Sequence, residues 1–145
     1  MIVGIGVDTV DIGRFERGLE RTPALRSRLF TSEERELRLD SLAARFAAKE
    51  ALIKALGGSG DLRWHDMEVV RDEHRAPSFA ATDRLRGALG AVGADRAHLS
   101  FAHDGGIATA FVILESVAVS EFGGTLAAAP MTGGPDDAPG GTEQA

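Results

Sequence analysis

The chain reads as an α+β domain, and three features say so. Its first residues alternate as a strand, its longest alanine-rich run is helical, and the remaining strands and helices mix without strict βαβ alternation. A length of 145 residues suits one domain with a real core, and 43% hydrophobic with 26% charged residues is ordinary for a globular protein.

Each element has its own reason. Ile2 to Asp8 places Val3, Ile5 and Val7 on one face and Gly4, Gly6 and Asp8 on the other, the period of a strand. Asp11 is placed to cap a helix carrying Ile12, Phe15 and Leu19, which must end before Pro23. Thr31 and Glu34 have capping-box spacing and open another helix. The run from Arg45 to Leu56 is a strong helix former, capped by Asp40 or Ser41 and stopped by Gly57-Gly58, with Leu42, Phe46, Ile53 and Leu56 as its apolar stripe. Trp64 to Val70 reads as a strand, Asp72 to Pro77 as a turn into a short strand at Ser78-Phe79, and Thr82 to Val92 as a helix with Leu85, Leu89 and Val92 inward. Ala97 to Ala102 and Ile107 to Glu115 form a hairpin across His103-Asp104-Gly105-Gly106.

Composition narrows the function classes. The chain has no cysteine, which excludes disulfides and thiolate metal sites. The apolar run from Ile2 to Val7 is too short for a signal peptide or a membrane span, so a cytoplasmic protein is expected. Residues 1–118 form the expected domain. Residues 119–145 hold six glycines, three prolines, four acids and no base, the composition of a tail that cannot order itself. That tail accounts for four of the six net negative charges, so the body is near neutral and lacks the basic, aromatic surface of a nucleic-acid binder. Within it, Arg14, Arg17 and Arg21 fall at i, i+3, i+7 on one helical stripe, either a solvated face or a surface that steers an acidic partner.

The chemistry-bearing residues gather around the chain's only two lysines, Lys49 and Lys54, which flank Glu50 on one helix while the other 14 basic residues are arginine. At about 100° per residue Glu50 lies roughly 40° from Phe46, beside the apolar stripe, where a charge is costly without a partner. A solvated Glu50/Lys54 pair at i, i+4 is the plain alternative. Asp8 supplies a second carboxylate, and two carboxylates with nearby lysines suit a hard divalent ion and a polyphosphate. Gly57-Gly58-Ser59-Gly60 is either a flexible helix cap or a backbone that lets phosphate approach. His103, at the hairpin, is either a plain polar residue or a ligand contact.

Taken in order, these segments resemble the holo-acyl-carrier-protein synthases, the small 4′-phosphopantetheinyl transferases. The resemblance rests on Gly4-Ile5-Gly6-Val7-Asp8 with Asp11-Ile12, on Phe30-Thr31 with Glu34, and on Arg45-Phe46-Ala47-Ala48-Lys49-Glu50-Ala51 with Lys54-Ala55-Leu56-Gly57. Trp64-His65-Asp66-Met67-Glu68-Val69 and Leu99-Ser100-Phe101-Ala102-His103-Asp104 extend it over roughly residues 1 to 117. It implies a small antiparallel sheet packed with a long central helix. It also implies transfer of phosphopantetheine from coenzyme A to a serine of an acyl carrier protein, releasing adenosine 3′,5′-bisphosphate, in fatty acid or polyketide biosynthesis. By the same resemblance Asp8 and Glu50 hold Mg²⁺, Lys54 contacts phosphate, and Arg45, Gly57 and His103 belong with the coenzyme. Glu50, or a water it holds, is the implied base, and Lys49 either neutralises the leaving bisphosphate or orients Glu50. The resemblance further implies a homotrimer with sites between subunits and an acidic carrier docked on the arginine helix near Arg14 and Arg21. The chain departs from the pattern in a shorter link before the lysine helix and in Ala76, which precedes Pro77 where glycine is commoner. The rival reading, a non-catalytic module that binds an acidic protein, leaves Asp8, Glu50 and Lys54 without a purpose.

Overall fold

A computed structural model describes residues 1–117, so the expected tail, 119–145, lies outside the described residues. The chain runs β1 (Ile2–Asp11), α1 (Ile12–Arg21), α2 (Ala24–Leu29), α3 (Ser32–Arg35), α4 (Leu39–Leu56), a 3-10 turn (Trp64–Met67), β2 (Val69–Arg71), β3 (Pro77–Phe79), α5 (Asp83–Ala91), β4 (Arg96–Asp104) and β5 (Ile107–Glu115). Strands β1, β5 and β4 form an antiparallel sheet in the order β1-β5-β4, and β2 pairs with β3. The α+β class and the long central helix are as the sequence predicts.

Alanine is what lets α4 sit at the centre. Its buried positions include Ala43, Ala44, Ala47, Ala48, Ala51 and Ala55 as well as Leu42 and Leu52. The expected stripe is therefore only partly right. Phe46, Ile53 and Leu56 lie at the edge of the core rather than in its middle, because elements cover α4 on several sides and the small residues make the closest contacts. The glycines of β1 meet that smooth surface. A Cβ built on Gly6 would overlap the carbonyl oxygen of Ala51, and one on Gly4 the carbonyl oxygen of Ala55. The strand's glycine side thus packs on helix backbone. Its apolar side faces outward, with Ile5 and Val7 56% and 50% exposed.

Several boundaries differ from expectation, each for a local reason. Strand β1 continues through Asp11, because β5 offers partners as far as Ile107, so Asp8 lies within the strand opposite Ala110. Asp11 still caps α1, accepting from the Arg14 amide at 2.8 Å. Helix α4 starts at Leu39 behind Arg38, which makes no side-chain cap; Asp40 instead sits in the first turn, where its charge suits the helix dipole. The stretch from Trp64 does not extend as a strand. Asp66 accepts the Arg63 amide at 2.9 Å and closes the 3-10 turn, leaving only Val69–Arg71 to pair. Val92 lies past the end of α5 and is 37% exposed, while Leu85 and Leu89 are buried as expected. Strands β4 and β5 reach the tip of the hairpin, where Gly105 and Gly106 turn the chain with φ of 56° and 80°. His103 is therefore a strand residue, not a turn residue.

Two departures from the family pattern also resolve. Only Glu36, Leu37 and Arg38 separate α3 from α4, and Arg26 holds this short link by donating from Nη2 to the carbonyls of Arg35 and Leu37 at 2.7 and 3.3 Å. In the β2–β3 turn the left-handed residue is Arg75, with φ of 64°, not Ala76. A non-glycine side chain there costs on the order of 1 kcal/mol. Asp72 offsets the strain by accepting from the His74 and Ala76 amides at 2.9 and 2.8 Å.

Candidate functional site

The close approach of β1 to α4 builds the site. The contact runs back along α4 as β1 runs forward, from Gly4 beside Ala55 to Gly6 beside Ala51. Asp8, the next residue on that side of β1, then meets the turn of α4 that holds Glu50 and Lys54. Lys54 Nζ donates to Asp8 Oδ1 at 2.7 Å and to the Val7 carbonyl at 3.0 Å. The lysine thus reaches the strand instead of closing an i, i+4 pair with Glu50. Two of its three donors are used, and its side chain remains 53% exposed.

Asp8 and Glu50 line one groove of about 760 Å³. Its apolar wall contains Phe15, Phe46 and Trp64, with Phe15 stacked on Phe46 at 5.3 Å between ring centroids and Phe46 tilted against Trp64 at 5.7 Å. Its rim carries Arg14, Arg21 and Arg28. The Glu50 carboxyl is held above its ordinary pKa, first by burial and then by the negative charge of Asp8, with Lys54 opposing both. Charge in this corner is therefore only partly compensated by protein.

That imbalance is the test of fit for a divalent ion. Among the described residues no three His, Cys, Asp or Glu side chains gather into a protein-only metal site. Two carboxylates facing open groove are instead the donor set for an ion that keeps water or substrate oxygens in its remaining positions. Asp8 and Glu50 fit such an ion.

The other expected contacts are dispersed. Gly57 ends α4 in the left-handed conformation, with φ of 77°. With Gly58, Ser59 and Gly60 it lines a second cavity of about 590 Å³ against Arg84 and α5. Arg45 is 6% exposed and faces Glu34 and Arg71 rather than the groove. Its Nη1 reaches the Ser41 carbonyl at 3.3 Å, and its buried Nε has no hydrogen-bond partner. Burial lowers the Arg45 pKa, Glu34 opposes that, and Arg71 adds to it. His103 is exposed near the hairpin tip and lines neither cavity.

Lys49 corrects the sequence reading. It is fully buried, and its ammonium donates to Glu34 Oε2 at 2.7 Å, the Leu29 carbonyl at 2.8 Å and the Trp64 carbonyl at 3.1 Å. All three protons are committed inside the protein, so none is left for a bisphosphate. Sequence reasoning also missed the aromatic wall, whose members come from segments that no spacing connects, while Arg28 belongs to the same basic run as Arg14 and Arg21. Arg17, grouped by spacing with Arg14 and Arg21, does not line the groove.

Comparison with known proteins bears directly on this arrangement. A family profile for the 4′-phosphopantetheinyl transferase superfamily matches residues 4–111. A holo-[acyl-carrier-protein] synthase of Leifsonia xyli subsp. xyli is 61% identical over 115 residues, covering 79% of this chain and 98% of that one. The crystal structure of holo-[acyl-carrier-protein] synthase from Neisseria meningitidis aligns with a TM-score of 0.71 at 31% identity, over 80% of this chain and all of that one. A coenzyme A complex of the enzyme from Chronobacterium ammoniagenes aligns with a TM-score of 0.68 at 29% identity, over 78% of this chain and 96% of that one.

Proposed function

The chain belongs to the 4′-phosphopantetheinyl transferase superfamily and is an enzyme of the holo-acyl-carrier-protein synthase type; from there we propose how its own residues carry out the reaction. The carrying observation is the groove lined by Asp8 and Glu50 beneath a rim of arginines, with Lys54 bonded to Asp8 at its edge. The serine oxygen of the carrier forms a bond to the β-phosphorus of coenzyme A, the bond from that phosphorus to the bridging oxygen breaks, and adenosine 3′,5′-bisphosphate leaves. Glu50, or a water that it holds, takes the serine proton; burial and the neighbouring Asp8 charge hold its carboxyl above the ordinary value. Lys54 uses its free donor on a phosphate oxygen where charge develops. Asp8 and Glu50 would hold a Mg²⁺ ion, which when bound would supply further neutralisation of that charge.

Arg14, Arg21 and Arg28 are placed to receive an acidic carrier, with the aromatic wall below them to accept an apolar side chain. The direct test incubates apo carrier protein with coenzyme A and Mg²⁺ and reads the intact mass; an unchanged mass over many enzyme equivalents rules the reaction out. Arg14→Glu with Arg21→Glu is expected to weaken carrier binding by about tenfold or more while coenzyme A affinity stays close to wild type. Wild-type carrier affinity is expected to fall with salt, and that of the double variant much less. Carrier binding indifferent to both changes would move the docking surface elsewhere.

The assembly we propose is a homotrimer with sites between subunits. The outward side of the sheet supports it: Val3, Ile5, Val7 and Phe111 are 37–56% exposed and join Ile113 as one apolar surface. Contiguous apolar surface of this kind marks an interface. Light scattering is expected to give three times the chain mass, and Phe111→Glu is expected to give a monomer with little activity. A wild-type monomer with full turnover would exclude shared sites.

A further inference from the structure

We propose that Lys49 is a positioning residue that fixes the width of the groove, its buried ammonium tying two groove walls to the helix that carries Glu50. The inference rests on the groove assignment made above and adds a residue to it. Leu29 closes α2 and Trp64 opens the 3-10 turn, and both line the groove. Their carbonyls converge on one nitrogen, at 2.8 and 3.1 Å, next in sequence to Glu50. The ring of Phe30 lies 5.1 Å from the same nitrogen. A carbonyl at the end of a helix needs a donor from outside that helix, and for Leu29 Lys49 is that donor.

Glu34 makes the arrangement tolerable. It is 2% exposed, and it accepts from Lys49 and the Thr31 amide through Oε2 and from the Val69 amide at 3.0 Å through Oε1. Thr31 Oγ1 in turn donates to Glu68 at 3.1 Å. Every polar atom of the Lys49–Glu34 pair is thus satisfied. Stability alone is a weak reason for such a pair, since a buried ion pair is often matched by apolar residues of equal volume. What an apolar pair cannot do is hold two carbonyls of separate elements at a fixed distance from α4. The exposed contact of His65 Nε2 with the Ser27 carbonyl, at 2.9 Å, joins α2 to the 3-10 turn but neither of them to α4.

The test compares Glu34→Gln, which keeps the Lys49 nitrogen as a donor to both carbonyls, with Lys49→Met/Glu34→Gln, which removes it. Lys49→Met/Glu34→Met serves as a second, fully apolar replacement where the first double variant does not fold. Trp64 is the only tryptophan, so acrylamide quenching of its emission reports on the wall without any substrate. Both folded double variants are expected to quench more readily and to raise the carrier KM about tenfold, with the coenzyme A KM within about threefold of wild type. Glu34→Gln is expected to melt lower yet keep a carrier KM near wild type. Unchanged quenching and carrier KM in a folded double variant would overturn the proposal. So would a parallel rise of both KM values in all variants, or failure of both double variants to fold, since either assigns the pair to folding. If wild type itself transfers nothing, the functional reading fails, while the quenching comparison still decides the role of Lys49.

Discussion

Glu50→Gln is expected to lower transfer by on the order of 10³-fold and, in a buffer with chelator, to raise the melting temperature. The two effects share a cause. Burial and the Asp8 charge hold the Glu50 pKa above its unfolded value, so folding disfavours the charged form. The stability associated with this group is fully present below its unfolded pKa and is lost as pH rises through the folded one. At neutral pH the carboxylate therefore destabilises the protein, and a neutral amide of the same shape does not. Near pH 4 the two proteins should melt together. Added Mg²⁺ should raise the melting temperature of the wild type but not of the variant. Wild-type turnover in the variant would remove Glu50 from the reaction. A lower melting temperature at pH 7.5 would show that the carboxylate is stabilised by its surroundings, against its raised pKa.

Gly6→Ala is expected to be among the most damaging single changes in the described chain, at about 3 kcal/mol or more. The added methyl would overlap the Ala51 carbonyl oxygen and stand 2.7 Å from the Ala55 amide nitrogen. Both are backbone atoms of the central helix and have no rotamer with which to give way. The helix or the strand must move, and the core alanines between them lose contact. Gly87→Ala is the control, since a Cβ there meets nothing within 4 Å in the middle of α5. That change should stabilise by about 0.5–1 kcal/mol. Thermal unfolding of both variants distinguishes the cases. A Gly6→Ala protein that melts like wild type would mean that β1 and α4 are not in backbone contact.

Much of this site was legible because its signals were local. The retention of lysine only around Glu50, and the alternation of glycine with branched residues up to Asp8, single out both carboxylates, though spacing alone does not bring them together. The caps at Asp11 and Thr31 were likewise written in a few adjacent residues. What escaped depends on tertiary partners. Lys49 looks like its neighbour Lys54, yet its direction on the helix sends it to Glu34, 15 residues away, and out of the reaction. Trp64 to Val70 has strand-like composition, but the Asp66 cap and the demand of Lys49 for the Trp64 carbonyl bend it into a turn. The direction of β1 also ran against the usual rule. Its branched residues face out because its glycines are needed inside, a choice that alternation alone does not reveal.

The contact of Gly4 and Gly6 with α4 also bears on how such a chain drifts in evolution. Where main chain touches main chain, the gap between Asp8 and Glu50 is set without any side chain between them. Exchanges among Met67, Val69, Leu85 or Leu89 alter packing elsewhere in the core and leave that gap alone. The reacting geometry is thereby insulated from most mutational noise, and its exposure is concentrated in two positions where the smallest possible change, one methyl group, is already too large.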